Sequence, residues 1–507
     1  MSKKGKAYLV GAGPGDPGLI TVKAIECLKQ AEVVIYDYLA NDVFLKYVPR
    51  DAEIIYVGKK GGSHTRTQDE INRLLVEKSR ENIVVRLKGG DPFIFGRGGE
   101  EAEVLKEADI EFEIIPGVTS AIAVPAYAGI PLTHRDFASS VAFITGHERA
   151  DRTGSKIAWD KLATSVDTLV FLMGVKNLSS IVDNLVNGGR ALDTPVAVIQ
   201  WGTTKLQRTV TGNLGNIVDI VEQEGITAPA IIVVGEVIRL KEKLDWFEKK
   251  PLFGKTVLVT RAREQASEFV KMLERCGARC LVFPTIRVIP PGSWDDLDSA
   301  LERLQSYQWL IFTSVNGVKF FFERLYRLGK DVRELKGIKI CAIGPKTAEK
   351  LNEYGLVLDF VPSEYRAEAI IEGLGRENIR GKKVLLPRAA VARQILPEKL
   401  RELGAEVDVV EAYRTILPDQ IDPEVKEAIE SGKLDCITFT SSSTVKNFAA
   451  FFSSRSIEKL NRDVLIACIG PITADTAKEL GFKVDIVPGE YTLNALTEAI
   501  VRYFERN

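Results

Sequence analysis

Gly11-Ala12-Gly13-Pro14-Gly15-Asp16-Pro17-Gly18 follows the apolar run Ala7-Tyr8-Leu9-Val10 and leads into Leu19-Ile20-Thr21. An apolar strand running into glycines suggests a nucleotide loop, in which a helix opens within the glycine spacing and its N–H groups receive a pyrophosphate. Two prolines break that pattern. Each removes a backbone donor and disfavours helix in the residue before it, so a helix can start only near Pro17 or Leu19. What remains is a rigid backbone that a ligand without a pyrophosphate can approach closely.

Outward from this loop, strand-like runs alternate with amphipathic stretches along the whole chain. Examples are residues 33–36, 83–87, 168–172, 257–260, 310–313 and 436–440, a pattern that predicts α/β architecture. At 507 residues the length implies about three domains. A charged, proline-bearing stretch without a sustained apolar face predicts a linker over residues 244–253, with domains at 1–243 and 254–507. Gly129-Ile130-Pro131 marks a further boundary inside the first half, between Pro125 and Thr133.

Charge excludes several function classes. Lys+Arg (68) and Asp+Glu (69) nearly cancel, so no global field points to nucleic acid or a membrane surface. No apolar run reaches the roughly 18 residues of a membrane span, and the N-terminus shows no signal-peptide apolar region. Six cysteines without a Cys-x-x-Cys pair read as reduced thiols of a cytoplasmic protein. Cys276 and Cys280 have helix-like spacing, but Gly277 between them argues against a metal site. With three histidines, His64, His134 and His147, no transition-metal centre is expected.

The second half contains an internal repeat. Val257-Leu-Val-Thr-Arg-Ala262 returns 127 residues later as Val384-Leu-Leu-Pro-Arg-Ala389. Gly277-Ala278 returns as Gly404-Ala405, and Phe312-Thr313-Ser314 as Phe439-Thr440-Ser441. Ile343-Gly344-Pro345-x-Thr347-Ala348 returns as Ile469-Gly470-Pro471-x-Thr473-Ala474, and Val361-Pro362-x-Glu364-Tyr365 as Val487-Pro488-x-Glu490-Tyr491. So long a period excludes a solenoid. It predicts two similar α/β lobes with a ligand held between them.

In the first half the glycine loop is followed by Tyr36-Asp37-Tyr38-Leu39, Val57-Gly58-Lys59 and Arg86-Leu87-Lys88-Gly89-Gly90-Asp91-Pro92-Phe93-Ile94-Phe95-Gly96-Arg97-Gly98. Then come Pro116-Gly117-Val118-Thr119-Ser120-Ala121, Gly129-Ile130-Pro131-Leu132-Thr133-His134-Arg135 and Thr145-Gly146-His147. In this order the motifs closely resemble the tetrapyrrole methyltransferases, specifically uroporphyrinogen-III C-methyltransferase, over about residues 5–240. The resemblance implies a two-lobed enzyme using S-adenosylmethionine (SAM) as methyl donor, without NAD or metal. It further implies a homodimer formed through this half, and two methylations of uroporphyrinogen III to give precorrin-2.

By the same resemblance Pro14, Gly89, Gly90, Asp91, Ile94, Thr119, Ser120, Met173, Gly202 and Ala230 fall at cofactor-contacting positions. The family often has Thr-Ala where Thr119-Ser120 stands here, and serine keeps the small size. From the residues alone, Gly89–Asp91 also fits a plain tight turn with a capping aspartate, and Met173 fits core filler. The resemblance implies Asp37 as proton acceptor and Lys59 as its acid partner. Asp37 follows a strand at the edge where open α/β sheets place ligands, although a helix-capping Asp37 and a solvated Lys59 are the plainer alternative. The substrate's acetates and propionates call for basic partners. Lys59, Lys60, Arg66, Arg86, Lys88, Arg97, His134 and Arg135 occupy the candidate segments, with Arg97, His134 and Arg135 taken as substrate-binding.

Residues 254–507 resemble uroporphyrinogen-III synthase. The carrying motifs are Thr260-Arg261, Phe312-Thr313-Ser314-Val315-Asn316-Gly317-Val318, Tyr413-Arg414-Thr415 and the two Ile-Gly-Pro-x-Thr-Ala blocks. The resemblance implies two flavodoxin-like lobes, residues 254–286 with 414–507 and residues 287–413. The implied reaction closes hydroxymethylbilane while inverting the terminal ring. Loss of its hydroxyl leaves a delocalised cation, so a closing, water-excluding cleft suffices without a metal. Tyr413 matches the tyrosine suspected of helping the hydroxyl leave. A strand aromatic with its hydroxyl outward is the alternative. Thr313, Ser314, Gly344, Thr440, Ser441, Gly470 and Thr473 are expected to receive substrate carboxylates, helped by helix starts after Gly344-Pro345 and Gly470-Pro471.

The two halves therefore point to one bifunctional enzyme, the second half making the substrate of the first. Competing readings are a first half that methylates a later corrin precursor and a second half that only binds tetrapyrroles. A Rossmann oxidoreductase is disfavoured by Pro14 and Pro17. Dehydrogenase and chelatase activities are not expected, because no NAD-binding pattern precedes the loop.

Overall fold

The computed structural model describes residues 5–58, 66–147, 156–261, 263–362, 367–391, 394–417 and 420–506, without the side chains of 263–266, 367–369 and 376–378. Contacts divide the chain into two compact units, Met1–Lys255 with Leu273–Arg279 and Phe504–Asn507, and Thr256–Met272 with Cys280–Tyr503.

The first unit is built on two sheets. Strands β1 (Lys6–Gly11), β2 (Val33–Tyr36), β3 (Glu53–Tyr56), β4 (Ile83–Lys88) and β5 (Glu111–Ile115) form a parallel sheet in the order β3-β2-β4-β1-β5. Alternation along β1 sends Leu9 to a core with Ile35, Leu75 and Leu105, and Val10 to a core with Leu28, Phe44 and Leu87. Both faces are apolar because helices cover both. The second sheet has β6 (Val141–Thr145), β7 (Thr168–Leu172), β8 (Pro195–Gln200), β9 (Arg208–Asn213) and β10 (Ala230–Val234) in the order β6-β7-β10-β8-β9. Only β6 and β7 are parallel; the other neighbours run antiparallel. The change of sheet falls between helix Ser120–Tyr127 and β6, around Gly129-Ile130-Pro131.

The charged stretch after residue 243 is well packed. Lys241 pairs with Asp245 at 2.8 Å and with Glu248 at 3.0 Å. Glu248 also accepts from Gln207 Nε2 and Thr209 Oγ1. With its charges matched locally, the stretch buries Phe247 to 2% exposure, edge-on to Tyr127 at 4.8 Å and to Phe253 at 5.3 Å.

The second unit also holds two sheets. Strands β11 (Thr256–Val259), β12 (Arg279–Val282), β18 (Cys436–Phe439) and β19 (Leu465–Cys468) pair in the order β12-β11-β18-β19. Between them in sequence lie β13 (Arg287–Ile289), β14 (Trp309–Phe312), β15 (Lys339–Ala342), β16 (Lys383–Ala389) and β17 (Glu406–Ile416), ordered β13-β17-β16-β14-β15. The chain thus leaves one sheet after Val282, completes the other, and returns at Cys436. Repeat-related strands hold corresponding places: β11 neighbours β18 as β16 neighbours β14, all parallel. The α/β class and the paired lobes expected from the pattern are what the fold contains, and each of the six expected strands is present.

Candidate active sites in the two halves

The glycine loop closes by backbone contact. Gly13 N–H donates to Gly90 O at 3.1 Å and Gly90 N–H returns to Gly13 O at 2.7 Å. A Cβ on Gly117 would lie 2.2 Å from Gly90 O and 2.7 Å from Gly11 Cα. Gly11 and Gly117 therefore bring their strand ends closer than any side chain permits, and Gly90 beside them holds a positive φ that favours glycine. Asp16 caps the short 3-10 turn Pro17–Leu19, accepting from Gly18 N–H. Only this 3-10 turn starts where the prolines allow a helix; the α-helix begins later than expected, at Val22, because Thr21 caps it by accepting from Ala24 N–H.

The ends of both sheets converge here. Asp16 N–H donates to Thr203 Oγ1 at 3.1 Å, and Tyr127 donates to Asp16 Oδ2 at 2.7 Å. Burial and then the Asp16 carboxylate push the Tyr127 hydroxyl's pKa well up. Tyr38 meets Trp201 edge-on at 6.3 Å. Met173 and Gly202 follow the C-terminal ends of β7 and β8, and Ala230 pairs with Gln200 at the same edge. Gly202 leaves no room for a Cβ beside Val124 of helix Ser120–Tyr127, whose N-cap is Thr119. Pro14, Gly89, Gly90, Asp91, Thr119, Ser120, Met173, Gly202 and Ala230 are thus gathered at one pair of sheet edges. Ile94 and Met173 are 38% and 53% exposed there. Among the described residues six non-glycine residues adopt positive φ, and five of them, Phe95, Arg97, Met173, Trp201 and Thr203, lie in these loops. The sixth, Asp109, follows a helix. Strained conformations of this kind cluster at functional sites.

Asp91 performs the turn-capping role: Oδ1 accepts from Phe93 and Ile94 N–H, and Oδ2 from Gly117 N–H. Asp37, at the end of β2, accepts from Leu39 N–H at 3.2 Å and from Arg86 Nη2 at 3.0 Å. Arg97 is held by Glu100 in a two-pronged pair at 3.0 and 2.6 Å. His134 Nδ1 accepts from Asp136 N–H within its own loop, and Arg135 is exposed. Lys59, expected as the acid partner of Asp37, lies outside the described residues, as does Lys60.

Two expected rim cations are buried instead of lining the rim. Arg86 and Lys88 are 2% and 5% exposed and point at Glu101 on helix Gly98–Glu107, Arg86 Nε at 3.1 Å and Lys88 Nζ at 2.7 Å. Alternation is the reason: Arg86 and Lys88 continue the row begun by Val84, on the face that packs against Leu105. Burial, with Arg86 close by, draws the Lys88 ammonium below its usual value. Glu101 is fully buried and was missed from sequence, although it sits three and four residues from Gly98 and Leu105 on the buried face.

In the second half, Tyr413 on β17 is 8% exposed. Its hydroxyl lies 3.0 Å from Ser314 Oγ, and its ring stacks on Phe320 at 6.0 Å. Ser314 caps helix Val315–Arg327 by accepting from Gly317 N–H. Thr313 precedes it at the end of β14. In the repeat, Ser441 caps helix Ser442–Ala449 through a capping box with Thr444, directly after Thr440. Gly344 and Gly470 are the N-caps of helices Pro345–Asn352 and Pro471–Glu479, and Thr473 is buried in the first turn of the latter. Sequence reading also passed over Arg388, 5% exposed on β16 beside β17, whose guanidinium burial draws below its usual value. Its repeat mate Arg261 is drawn down by burial likewise. Among the described residues no group of three or more His, Cys, Asp or Glu side chains forms a metal cluster, and no helix is long and apolar enough to cross a membrane.

Both halves match family models: Tetrapyrrole (Corrin/Porphyrin) Methylases over residues 6–218, and Uroporphyrinogen-III synthase HemD over residues 267–498. Fold and site thus define a tetrapyrrole-modifying enzyme in each half. The chain is 41% identical to the "Porphyrin biosynthesis protein HemD" of Ruminiclostridium josui over 498 residues, covering 98% of both proteins. Its first half is 55% identical to the "Uroporphyrinogen-III C-methyltransferase" of Priestia megaterium, covering 46% of this chain and 98% of that one. It is also 55% identical to the "S-adenosyl-L-methionine-dependent uroporphyrinogen III methyltransferase" of Methanosarcina barkeri, covering 47% of this chain and 94% of that one. The chain belongs to the family of bifunctional porphyrin-biosynthesis enzymes that fuse a uroporphyrinogen-III C-methyltransferase to a uroporphyrinogen-III synthase.

Proposed function

We propose that the second half cyclises hydroxymethylbilane to uroporphyrinogen III with inversion of the terminal ring, and that the first half methylates this product twice to give precorrin-2. The methyltransferase would occupy residues 1–243 and the synthase 254–507, in a cytoplasmic homodimer joined through the methyltransferase. The observation that carries the reading is the convergence of the glycine loop, Gly89–Asp91, Thr119-Ser120, Met173 and Gly202 in one half, in a chain whose other half matches the Uroporphyrinogen-III synthase HemD family.

The site fits SAM. Exposed Ile94 and Met173 offer apolar flanks to an adenosine, while side-chain-free backbone at Gly89 and the start of helix Ser120–Tyr127 offer polar groups. SAM supplies an electrophilic methyl group on a sulfonium. The protein's part is alignment of a nucleophilic pyrrole carbon with that methyl, for which positioning is the main source of rate. Asp37, oriented by Arg86 and Leu39 N–H, takes the proton that leaves the ring system, with Lys59 as acid partner. Arg97, His134 and Arg135 receive substrate carboxylates.

In the synthase half Tyr413 assists departure of the hydroxyl. Thr313, Ser314, Gly344, Thr440, Ser441, Gly470 and Thr473 hold the carboxylates of the folded chain. The test supplies purified protein with hydroxymethylbilane under reducing conditions, with and without SAM. Type III uroporphyrinogen is expected without SAM, and a product heavier by two methyl groups with it. Spontaneous type I isomer alone overturns the synthase assignment; absence of methylated product from uroporphyrinogen III overturns the other.

A further inference from the structure

Among the described residues of the first unit Glu101 is the most deeply buried carboxylate with charged partners, and its geometry is lopsided. One oxygen, Oε1, takes Arg86 Nε at 3.1 Å, Lys88 Nζ at 2.7 Å and Gln68 Nε2 at 3.2 Å. The other, Oε2, is buried without a hydrogen-bond partner. Arg86 also donates both Nη1–H groups, to Ile35 O at 3.4 Å and Leu87 O at 3.2 Å, and one Nη2–H to Asp37 Oδ2 at 3.0 Å. Two carboxylates and two cations therefore form one chain, running from the first turn of a helix through the sheet to the edge where Asp37 stands.

Stability alone does not account for this chain. Buried ion networks are often matched or bettered by apolar side chains of similar volume, and an unpaired buried oxygen adds a cost. What the network does is fix positions. Lys88 directly precedes Gly89-Gly90, and Glu101 lies in the first turns of the helix that ends the same loop. One carboxylate thus ties both ends of residues 88–98. Through Arg86 it also sets where the Asp37 carboxylate points.

We propose that Glu101 is a positioning residue of methyl transfer. It registers the Gly89–Gly98 loop against Asp37 by holding Lys88 and Arg86 together, without touching substrate or cofactor. This rests on the assignment of uroporphyrinogen methylation to the first half. Loosening a reacting geometry by about 1 Å costs on the order of a hundredfold in rate, so a large kcat effect is expected from a residue remote from the chemistry.

The test uses the full chain and uroporphyrinogen III. Glu101→Gln keeps the size and removes the charge. It is expected to lower the methylation kcat by about tenfold or more with KM for SAM changed much less, while synthase turnover of the same chain is unaffected. The triple variant Arg86→Met/Lys88→Met/Glu101→Leu replaces the network by apolar side chains. Its methyltransferase unit is expected to stay folded by calorimetry and to lose kcat. A folded triple variant with wild-type kcat, or a methyltransferase unit that unfolds in both variants, overturns the proposal by assigning the network to packing or folding alone. Failure of wild-type protein to methylate uroporphyrinogen III would instead overturn the assignment on which it rests.

Discussion

The Tyr413 hydroxyl and Ser314 Oγ lie 3.0 Å apart, tying the long strand β17 to the first turn of helix Val315–Arg327. Ser314 already accepts from Gly317 N–H, so its hydroxyl is turned by the helix cap and the tyrosine oxygen is aimed by it. Tyr413→Phe keeps the stack on Phe320 and removes only this oxygen. A lost hydrogen bond of this kind costs about 1 kcal/mol of stability, so the fold survives. The type III isomer is expected to form at least about tenfold more slowly, an effect of about 1.4 kcal/mol on the barrier, with methylation of supplied uroporphyrinogen III unchanged. Isomer-resolved chromatography of the porphyrins after oxidation measures it, and an unchanged type III rate removes Tyr413 from the mechanism.

Gly117 tests the glycine closure. A Cβ there meets Gly90 O at 2.2 Å, with Gly11 Cα at 2.7 Å, and both are backbone atoms that cannot rotate aside. Gly117→Ala is expected to cost the methyltransferase unit about 1–3 kcal/mol through overpacking. It should also weaken binding of S-adenosylhomocysteine by about tenfold or more, a loss of 1.4 kcal/mol. Titration calorimetry reads the affinity, and synthase turnover in the same sample serves as the internal control. Wild-type affinity would mean that the three-strand closure does not shape the cofactor site.

Much of this arrangement was legible because it leaves local marks. Pro14 and Pro17 forbid an early helix wherever the chain lies, and the helix starts at Val22. The repeat announced paired lobes because related strands must make related turns. Arg86 and Lys88 carry no such mark. Their spacing shows that they share one face of β4, but only the helix packed there tells that this face is buried. Glu101 then reads as one more surface acid in a Glu-rich stretch, although it follows the spacing of Gly98 and Leu105. The stretch after residue 243 hides its packing for the same reason. Its charges pair with one another and with Gln207 and Thr209, leaving Phe247 to the core.

Asp298 and Arg324 join helices Asp295–Glu302 and Val315–Arg327 by a two-pronged pair at 2.6 and 2.5 Å. The Arg324 guanidinium holds the Asp298 carboxyl below the usual carboxylate range. A carboxyl whose pKa is lower folded than unfolded contributes stability that is complete above its unfolded value, about 4, and is lost as pH falls through the folded value. Asp298→Asn should therefore lower the Tm of the synthase unit at pH 7, with the gap to wild type closing below about pH 4. Calorimetric scans of both proteins from pH 7 to pH 3 check this. A gap that stays constant across the range would show that the pair contributes through packing and not charge.

Phe247 connects the end of the first unit to its cofactor loop. It packs edge-on to Tyr127 at 4.8 Å, and Tyr127 donates to Asp16 at 2.7 Å inside the Gly11–Gly18 segment. Deleting a buried phenyl ring costs about 3–5 kcal/mol, so Phe247→Ala should strongly lower the Tm of the methyltransferase unit. If the ring also steadies the loop through Tyr127 and Asp16, Tyr127→Phe should raise KM for SAM while leaving Tm nearly unchanged. The Phe247→Ala variant should then show both effects together. Measuring KM for SAM below the melting transition separates the two contributions. A Phe247→Ala protein with lowered Tm but wild-type KM would confine the aromatic cluster to stability, and the glycine loop would then owe its position to its own backbone contacts with Gly90 and Thr203.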